Sequence, residues 1–576
     1  MSLLKEKIIQ FRNAPYAGYV VMGVFLLGIL FQCLLFHRCI EGSVVRVFET
    51  ISLFLIKLGI AGVIASFSLL CKRNYWTLFV SLLLALWSMA ELVYYRSNAI
   101  FIEEHSITMI GNMNGVWNSI WLFNEPVDWL FLLPTIVLAA VVFFFRQTNK
   151  HVKGFAVTIS VALLLSFIAN VDIHLPHNCG QKECKHGIKV LNPFASEGEG
   201  TMLGFTTEQY IMNTSVVHSF IYQLKELVLL PFTTENYNLT DKEKQIASLF
   251  VRPTATIPAP QTPLIILLIE SFESWTITPE ITPNLYAFIQ DNDSLLYAPK
   301  VEPQTRHGVS ADGQMIVNTG LLPVTDGATC FRFPTNEYPA ISKLYANSAL
   351  VTVLSLSYWN QRFMSDAYGI DQNYVVKSWY DRDIFNKVEE VVKGYDFLLS
   401  LTMTMHAPFN ETPEDNYLGV EGMPDEIRRY LNAVMYMDKQ LGILLTSLMN
   451  DTTTRDATIV ITSDHNVLSK KSRKEFDGFN NVHELGFGNI NEYIPLVVYS
   501  PRIEQKVLIT DTVYQMDIYP TLLHILDCES YYWKGFGVNL LEKDAWKHRP
   551  IQPKEAQRLS DKMIRANYFE KLVTEE

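Results

Sequence analysis

Positive charge is scarce in this sequence of 576 residues. Its 47 lysines and arginines are outnumbered by 59 acidic residues, which leaves a net charge of −12. A protein that binds nucleic acid needs a basic face to neutralise phosphates. The charge balance therefore argues against a nucleic-acid partner.

Cysteine is also scarce, with seven residues in the whole chain. Cys179 and Cys184 are five positions apart, and an oxidising compartment would permit a disulfide between them, with two free thiols as the alternative. The others have no metal-binding spacing and receive no role: Cys33, Cys39, Cys71, Cys330 and Cys528.

Charge is absent from long stretches of the first third of the chain. Residues 17–36 carry none, and further apolar blocks follow at 50–71, 75–95, 129–145 and 154–173. Each block is long enough to cross the hydrocarbon core of a bilayer as a helix. Residues 1–173 are therefore predicted to form five transmembrane helices, and the four blocks after the first argue against a cleaved signal peptide.

The loops between these blocks predict the orientation. Eight lysines and arginines fall on one side: Lys5, Lys7, Arg12, Lys72, Arg73, Arg146, Lys150 and Lys153. Three fall on the other: Arg38, Arg46 and Arg96. Basic loops stay in the cytoplasm, so we expect a cytoplasmic N-terminus and an extracytoplasmic chain after residue 173.

Two charges interrupt the apolar blocks. Lys57 and Glu91 either pair inside the bilayer or reach separately to its surface, and the sequence leaves both open. Trp117 and Trp121 indicate an interfacial segment between the third and fourth blocks, serving either as a simple anchor or in lipid binding.

The remainder divides into a linker, a folded domain and a tail. Residues 174–262 form the linker, in which 210–229 is predicted to be a helix that packs on the folded domain or lies along the membrane. A proline-rich segment, VRPTATIPAPQTP, ends it. The folded domain covers 263–545, and the charged tail, 546–576, contains a predicted surface helix over 559–572.

Residues 263–545 alternate between strand and helix patterns. Apolar runs predict strands at 264–269, 349–357, 396–403, 458–462 and 494–499. Helices are predicted between them at 310–318, 336–346, 424–449 and 514–526. This alternation is typical of an α/β domain with a mostly parallel central sheet.

Polar residues follow two of the predicted strands at their ends. Glu270 ends the first strand, and Asp464 and His465 end ATIVITSDH. Side chains at the carboxyl ends of parallel strands gather at one crevice, where two carboxylates and a histidine can share a divalent cation. Ser310 begins a predicted helix, where the helix dipole and a nearby cation would favour an alkoxide nucleophile. The alternative role for Ser310 is that of a helix cap.

The motifs LLIES, MTMHAPF, TSDH, IPLVVYSP and MDIYPTLLHIL occur in this order, with a Gly-x-Ser segment between the first two. Their order resembles the sulfatase-like branch of the alkaline phosphatase superfamily. With five spans ahead of them, the chain is similar to the family of lipoteichoic acid synthases and phosphoglycerol transferases.

This resemblance implies a set of site residues. Glu270, Ser310, Asp464 and His465 would be the metal ligands, with Ser310 in place of the family's usual threonine nucleophile. His406 would contact the substrate phosphate or the leaving group. Trp359 and Arg362 would bind the lipid headgroup, although Gln361 is the alternative to Arg362.

The chain departs from the family pattern before the nucleophile. The residue there is often basic, and here it is Val309, so that Arg306 becomes the candidate phosphate contact. His483 is a possible ligand of a second metal, against the alternative of an ordinary loop histidine.

The resemblance implies a membrane-anchored, metal-dependent transferase in the bacterial cytoplasmic (inner) membrane. It would move phosphoglycerol, or as second choice phosphoethanolamine, from phosphatidylglycerol or phosphatidylethanolamine to a glycan or glycolipid acceptor. Manganese or magnesium is the expected ion, with zinc the alternative. The competing functions are a phosphatase or sulfatase on the same fold and a silent lipid-binding envelope protein.

Overall fold

The structure is a computed structural model of the chain. It describes residues 15–42, 44–49, 51–71, 74–98, 101–102, 124–145, 150–173, 211, 214–229, 238–252, 258–410, 412–413, 420–483, 487 and 490–574. The predictions for Trp117, Trp121, Cys179 and Cys184 lie outside these residues. So do those for most of the basic loop residues.

The chain divides into two compact units. The first combines Met1–Glu104 with Ile120–Thr233, and the second combines His105–Ser119 with Thr234–Glu576. The first is a helical unit and the second an α/β unit. The sequence-based boundaries at 173, 262 and 545 stay predictions.

Seven α-helices are described in the helical unit. They are α1 Ala17–Glu41, α2 Val45–Glu49, α3 Ile51–Ser66, α4 Tyr75–Asn98, α5 Leu133–Phe144, α6 Val152–Ile173 and α7 Val216–Leu229. Short 3-10 turns extend α3 at Phe67–Leu70 and precede α5 at Pro126–Leu132. Five helical stretches are long and apolar enough to cross a membrane: Ala17–Ile40, Ile51–Leu70, Tyr75–Arg96, Pro126–Phe144 and Val152–Ala169. The five expected apolar helices are confirmed.

Helix α7 packs within this unit through buried Val216 and Val217. Lys57 Nζ donates to the Thr214 carbonyl at 2.7 Å, and Glu91 accepts from Ser219 Oγ at 3.4 Å. Both intramembrane charges therefore contact the segment around α7, which lies against the apolar helices. A direct Lys57–Glu91 pair stays a prediction.

Nine strands are described in the α/β unit, and they form one sheet. They are β1 Leu264–Ile269, β2 Leu295–Glu302, β3 Ser348–Val353, β4 Gln372–Val376, β5 Phe397–Leu401, β6 Thr458–Ser463, β7 Ile494–Tyr499, β8 Val507–Leu508 and β9 Val513–Tyr514. Their order is β4-β3-β5-β1-β6-β7-β2-β8, with β9 also paired to β2. The path from β4 to β6 is parallel, and β7 is antiparallel to both neighbours. The mostly parallel sheet is confirmed.

Helices and 3-10 turns connect these strands. The helices are α8 Asp241–Ala247, α9 Pro283–Asp291, α10 Ser310–Thr319, α11 Thr329–Arg332, α12 Gln361–Ala367, α13 Asp381–Val391, α14 Asp425–Asn450, α15 Lys470–His483, α16 Ile518–Ile525, α17 Pro553–Arg565 and α18 Tyr568–Thr574. The turns are Ser274–Thr276, Ile341–Leu344, Tyr358–Asn360, Val392–Gly394, Gln515–Asp517 and Ala545–Lys547.

Three local predictions differ from the structure. The segment 336–346 is not a helix but forms only the 3-10 turn Ile341–Leu344, after Pro339. The prediction missed β2 because Pro299 and Lys300 break its apolar pattern, and a register shift between Ala298 and Val301 accommodates them. The edge strand β4 was missed because its residues are only partly buried or exposed.

The tail forms the helices α17 and α18. Leu559, Met563 and Phe569 are buried, so that one face packs into the α/β unit while the other faces solvent. The surface helix of the sequence prediction is thus half-buried.

Candidate active site

The site lies where three neighbouring parallel strands end. Strand β1 lies between β5 and β6, and Ile269 is in register with Ser463. Glu270 follows β1, Thr402 follows β5 and Asp464 follows β6. The Glu270 backbone N–H donates to Thr402 Oγ1 at 2.9 Å, which ties two of these ends together.

Glu270, Asp464 and His465 converge as predicted. Their ligand atoms all lie within 4.8 Å of one another, and all three residues are buried. His465 Nε2 is 3.5 Å from Glu270 Oε1 and also 3.5 Å from Asp464 Oδ2. In the part of the chain that the structure describes, this is the one group of three or more such side chains with metal-binding spacing.

The electrostatics of the group indicate that a positive charge belongs there. Burial, and then the neighbouring Glu270 carboxylate, raise the pKa of Asp464 to about 7. Burial opposes the charged form of His465, but Asp464 and Glu270 outweigh it and raise the pKa of the imidazole. Two converging carboxylates are costly to ionise together unless a cation neutralises them.

His465 is oriented for metal binding. Its Nδ1 lies 2.8 Å from the Asn466 carbonyl, which accepts a hydrogen bond and so requires the proton on Nδ1. Nε2 is then the ring atom that faces Glu270 and Asp464, and it could ligate a metal once it has lost its proton.

Ser310 is the first residue of α10 and lies against this group. Its Oγ is 3.3 Å from Glu270 Oε2 and 3.3 Å from His465 Nε2. Val309 just before it has φ 41°, a strained conformation for a β-branched residue. The N-cap residue of α10 is Val309, which makes no side-chain cap bond, so Ser310 stands at the first helical position and not at the cap.

Gly313 explains how α10 comes so close to the end of β6. A Cβ at this position would lie 2.5 Å from the Asp464 carbonyl oxygen and 2.7 Å from its Cα. Only glycine leaves room for the two backbones to approach, so Gly313 sets the depth at which Ser310 enters the group.

Asp312 holds the loop before the serine, a role that the sequence analysis did not assign. Its Oδ2 accepts from the N–H groups of Arg306 and Gly308, both at 2.9 Å. Burial raises the pKa of this carboxyl to about 6. The Asp-Gly pair after Ser310 was the available signal, since both residues act on the turn that carries this serine.

A second carboxylate after β1 was also missed. Glu273 is fully buried and pairs with Arg473, whose Nη1 donates to Oε2 at 2.7 Å. Glu273 Oε1 accepts from the N–H groups of Val467 and Leu468 at 2.9 and 3.0 Å. Glu273 therefore fixes the loop that follows His465, and the repeated Glu in ESFE was its signal.

His406 lies in the loop after β5. Its Nδ1 is 2.7 Å from the Ala407 carbonyl, and its ring meets that of Trp379 edge-on at 6.0 Å. Burial is the main cause that lowers the pKa of His406, to which His465 adds. The charges of His465 and Asp464 both act on this ring.

In the segment SYWNQRF, the two candidates Gln361 and Arg362 differ in burial and in contacts. Trp359 and Asn360 both have positive φ, 46° and 55°. Gln361 is buried and donates to Gln314 Oε1 at 2.7 Å, one turn after Ser310 on α10, whereas Arg362 is exposed. The geometry favours Gln361 as the residue beside the nucleophile helix.

Arg306 and His483 make their contacts with other residues of the α/β unit. Arg306 Nη1 lies 3.5 Å from the Thr325 carbonyl, and its charge acts on Asp561 of the tail helix. His483 is exposed at the end of α15 and stacks on Phe479 at 4.2 Å. The second metal site proposed through His483 has no further support among the described residues.

Two family models match the chain. Residues 4–177 match the lipoteichoic acid synthase N-terminal domain, and residues 330–528 match the sulfatase family. A match to a lipoteichoic acid synthase N-terminal domain is thus followed along the chain by a match to the sulfatase family, each over less than half of the chain. His406, Asp464 and His465 lie inside the matched part of the sulfatase domain, and Glu270 and Ser310 precede it.

Individual relatives agree with this division. The lipoteichoic acid synthase of Staphylococcus saprophyticus is 22% identical over 516 residues, covering 82% of this chain and 76% of its own. The integral membrane phosphoethanolamine transferase A of Neisseria meningitidis has a TM-score of 0.51 at 11% identity, over 90% of this chain and 97% of that one. The lipoteichoic acid synthase LtaP of Listeria monocytogenes aligns at 18% identity and TM-score 0.46, over 57% and 97%. The resemblance stated from the motifs is confirmed.

Proposed function

We propose that the protein is a membrane-anchored transferase that moves a phospho-headgroup from a phospholipid to an acceptor outside the cytoplasm. The observation that carries this proposal is Ser310 Oγ, which lies between Glu270 and His465 in a chain with five apolar helices. Lipid headgroups are the nearest phosphates to a site tethered at a membrane.

The donor set fits a divalent cation. Glu270, Asp464 and His465 would hold it, with Ser310 as a fourth ligand, and the raised pKa of Asp464 shows what the cation would relieve. Such an ion supplies positive charge that favours an ionised hydroxyl and neutralises phosphate oxygens. Two carboxylates, a hydroxyl and one histidine suit manganese or magnesium, and zinc is the third candidate.

The residues divide the chemistry between them. Ser310 Oγ forms a bond to the lipid phosphorus, and the bond from phosphorus to the diacylglycerol oxygen breaks. His406 donates its proton to that leaving oxygen and becomes neutral, while Ser310 enters the step as the ionised hydroxyl that a bound cation would favour. The acceptor hydroxyl then displaces Ser310 from the headgroup while the neutral ring of His406 accepts its proton.

The lowered pKa of His406 favours the neutral ring, which the second half-reaction needs. An imidazolium whose pKa is lowered gives up its proton readily. Once neutral, the ring keeps its Nδ1 proton on the Ala407 carbonyl and presents Nε2 as a base.

Relatives named lipoteichoic acid synthase make phosphoglycerol the first candidate headgroup, phosphatidylglycerol the first donor and a glycan or glycolipid the acceptor. Phosphoethanolamine is the second candidate. The loop charges support a cytoplasmic N-terminus and an extracytoplasmic sulfatase domain in the bacterial cytoplasmic membrane.

Release of diacylglycerol from labelled phosphatidylglycerol tests the proposal. The wild-type protein in detergent with Mn²⁺ should release it, and Ser310→Ala should not. Release of free glycerol phosphate without any acceptor product would favour a phosphodiesterase instead.

A further inference from the structure

The segment that leads into α13 is fastened to the loop that carries His406. Asp381 is fully buried, and its Oδ1 accepts from the N–H groups of Met403 and Thr404, both at 2.9 Å. In return, the Asp381 N–H donates to Thr404 Oγ1 at 2.8 Å, and Thr404 Oγ1 donates to the Trp379 carbonyl at 3.1 Å. We call these four hydrogen bonds the Asp381–Thr404 clip.

The clip is next to an aromatic contact between Trp379 and His406. Trp379 precedes Asp381 by two positions and His406 follows Thr404 by two, and the two rings meet edge-on with an interplanar angle of 78°. The His406 N–H also donates to the Met403 carbonyl at 3.0 Å, so the backbone of His406 is fixed from the residue that the clip holds. The ring contact and this backbone hydrogen bond together restrict the position of the His406 imidazole.

The other end of the same loop is bound to the metal group. Thr402 accepts from the Glu270 N–H, and its own N–H donates to the Leu268 carbonyl at 3.3 Å. The loop is therefore fixed to β1 at Thr402 and to the start of α13 at Thr404. Between them these contacts set the distance from His406 to the cluster that holds Ser310.

We propose that Asp381 and Thr404 are positioning residues that place His406 for proton transfer to the leaving group, through the clip and the Trp379 ring. This inference rests on the proposed function, because it assumes that His406 protonates a leaving oxygen. The clip needs an acceptor oxygen at Asp381 and does not need its negative charge. Misplacement of a catalytic group by about 1 Å costs on the order of 10²-fold in rate.

Two synthetic donors with the same phosphoglycerol headgroup separate positioning from general damage. A p-nitrophenyl ester has a leaving group that departs as an anion, and an octyl ester has one that needs a proton. Loss of proton donation should slow cleavage of the octyl ester and leave the p-nitrophenyl ester nearly unchanged.

Asp381→Ala and Thr404→Val should each lower kcat for the octyl ester by about 10²-fold and for the p-nitrophenyl ester by less than about threefold. His406→Gln should show the same selectivity. Asp381→Asn should stay close to wild type, because its amide oxygen can accept from Met403 and Thr404. Asp383→Asn, on the same helix turn and bonded to Ser378, is the matched control and should leave both rates unchanged.

The outcomes are decisive in each direction. Equal losses on both esters, or no loss on either, would overturn the inference, as would an additive loss in the His406→Gln, Asp381→Ala double variant. If Asp381→Ala does not fold, Thr404→Val decides. A wild-type protein that cleaves both esters but releases no diacylglycerol from lipid contradicts the proposed function alone, and one that cleaves neither ester overturns both.

Discussion

One buried carboxylate in the helical unit meets a positive charge, whereas two of those in the α/β unit meet each other. Asp128, with a fully buried side chain, is held by Arg96 through two hydrogen bonds of 2.7 and 3.0 Å. At the sheet edge, Glu270 and Asp464 both approach His465 Nε2 at 3.5 Å. The first arrangement sets a carboxylate against a guanidinium, and the second brings two carboxylates to one imidazole.

This difference in charge pairing distinguishes a structural contact from a candidate binding site. A paired charge needs nothing further, and removing one partner leaves the other buried and uncompensated. Two converging carboxylates are stable when a cation binds them or when one of them keeps a proton. Glu270 and Asp464 are therefore suited to a cationic ligand, whereas the Arg96–Asp128 pair is already a complete structural contact.

The largest effect should come from emptying the charged cluster. Asp464→Ala should abolish bound metal and lower the rate of diacylglycerol release by more than about 10³-fold, because a ligand and its charge are lost. Metal analysis of the purified protein checks this, with circular dichroism to show that the fold persists. Full metal occupancy in this variant would refute the ligand assignment.

Breaking the Arg96–Asp128 pair should have the opposite signature. Arg96→Ala leaves the Asp128 carboxylate uncompensated and should cost about 3–5 kcal/mol of stability. Metal content should remain at the wild-type level. Thermal unfolding in detergent and metal analysis check this together: Arg96→Ala should lose stability and keep its metal, whereas Asp464→Ala should lose its metal and keep its fold. Loss of metal in Arg96→Ala would contradict a purely structural role for the Arg96–Asp128 pair.

Gly313→Ala should disturb the cluster without removing a ligand. The new Cβ would meet the Asp464 backbone, so we expect a loss of about 1–3 kcal/mol from overpacking. Activity should fall as well, because α10 would have to move away from Asp464 and would displace Ser310 from the group. Gly478→Ala is the control, because no atom lies within 4 Å of the Cβ it would add. Similar melting temperatures for the two variants would contradict this view of α10.

The smallest expected effect is a pH dependence of the metal-free protein. The folded-state pKa of Asp464 is raised to about 7, above its ordinary value of 3.8. The folded protein therefore keeps a proton that the unfolded chain has lost, and this group's contribution to stability falls as pH rises from about 4 to 7. Mn²⁺ should accordingly raise the melting temperature more at pH 8 than at pH 5.5. Asp464→Asn should remove most of this difference, and an equal gain at both pH values in the wild type would contradict it.

The sequence predicts the elements that are buried on both faces and misses those that are not. The runs in β1, β6 and β7 are continuous and apolar, so their strands follow directly from composition. Strand β4 and the bulged β2 lack such runs, because one lies at the edge and the other contains Pro299. Tertiary pairing rather than local pattern decides them.

The site divides in a similar way. Glu270, Asp464 and His465 follow buried strands directly, so that the parallel sheet alone brings them together. Their role as metal ligands stays a prediction. The roles of Asp312 and Glu273 in holding the neighbouring loops could not be predicted from the sequence. Their partners are backbone groups and an arginine, which come near them only in the folded chain.

The most direct test of the account is the mass of the peptide that contains Ser310 after exposure to donor lipid without acceptor. The account predicts one added phosphoglycerol on this peptide, absent when Ser310→Ala is treated in the same way. Addition of acceptor should then remove the modification. An unmodified Ser310 peptide in an enzyme that is releasing diacylglycerol would contradict the covalent mechanism and favour direct transfer.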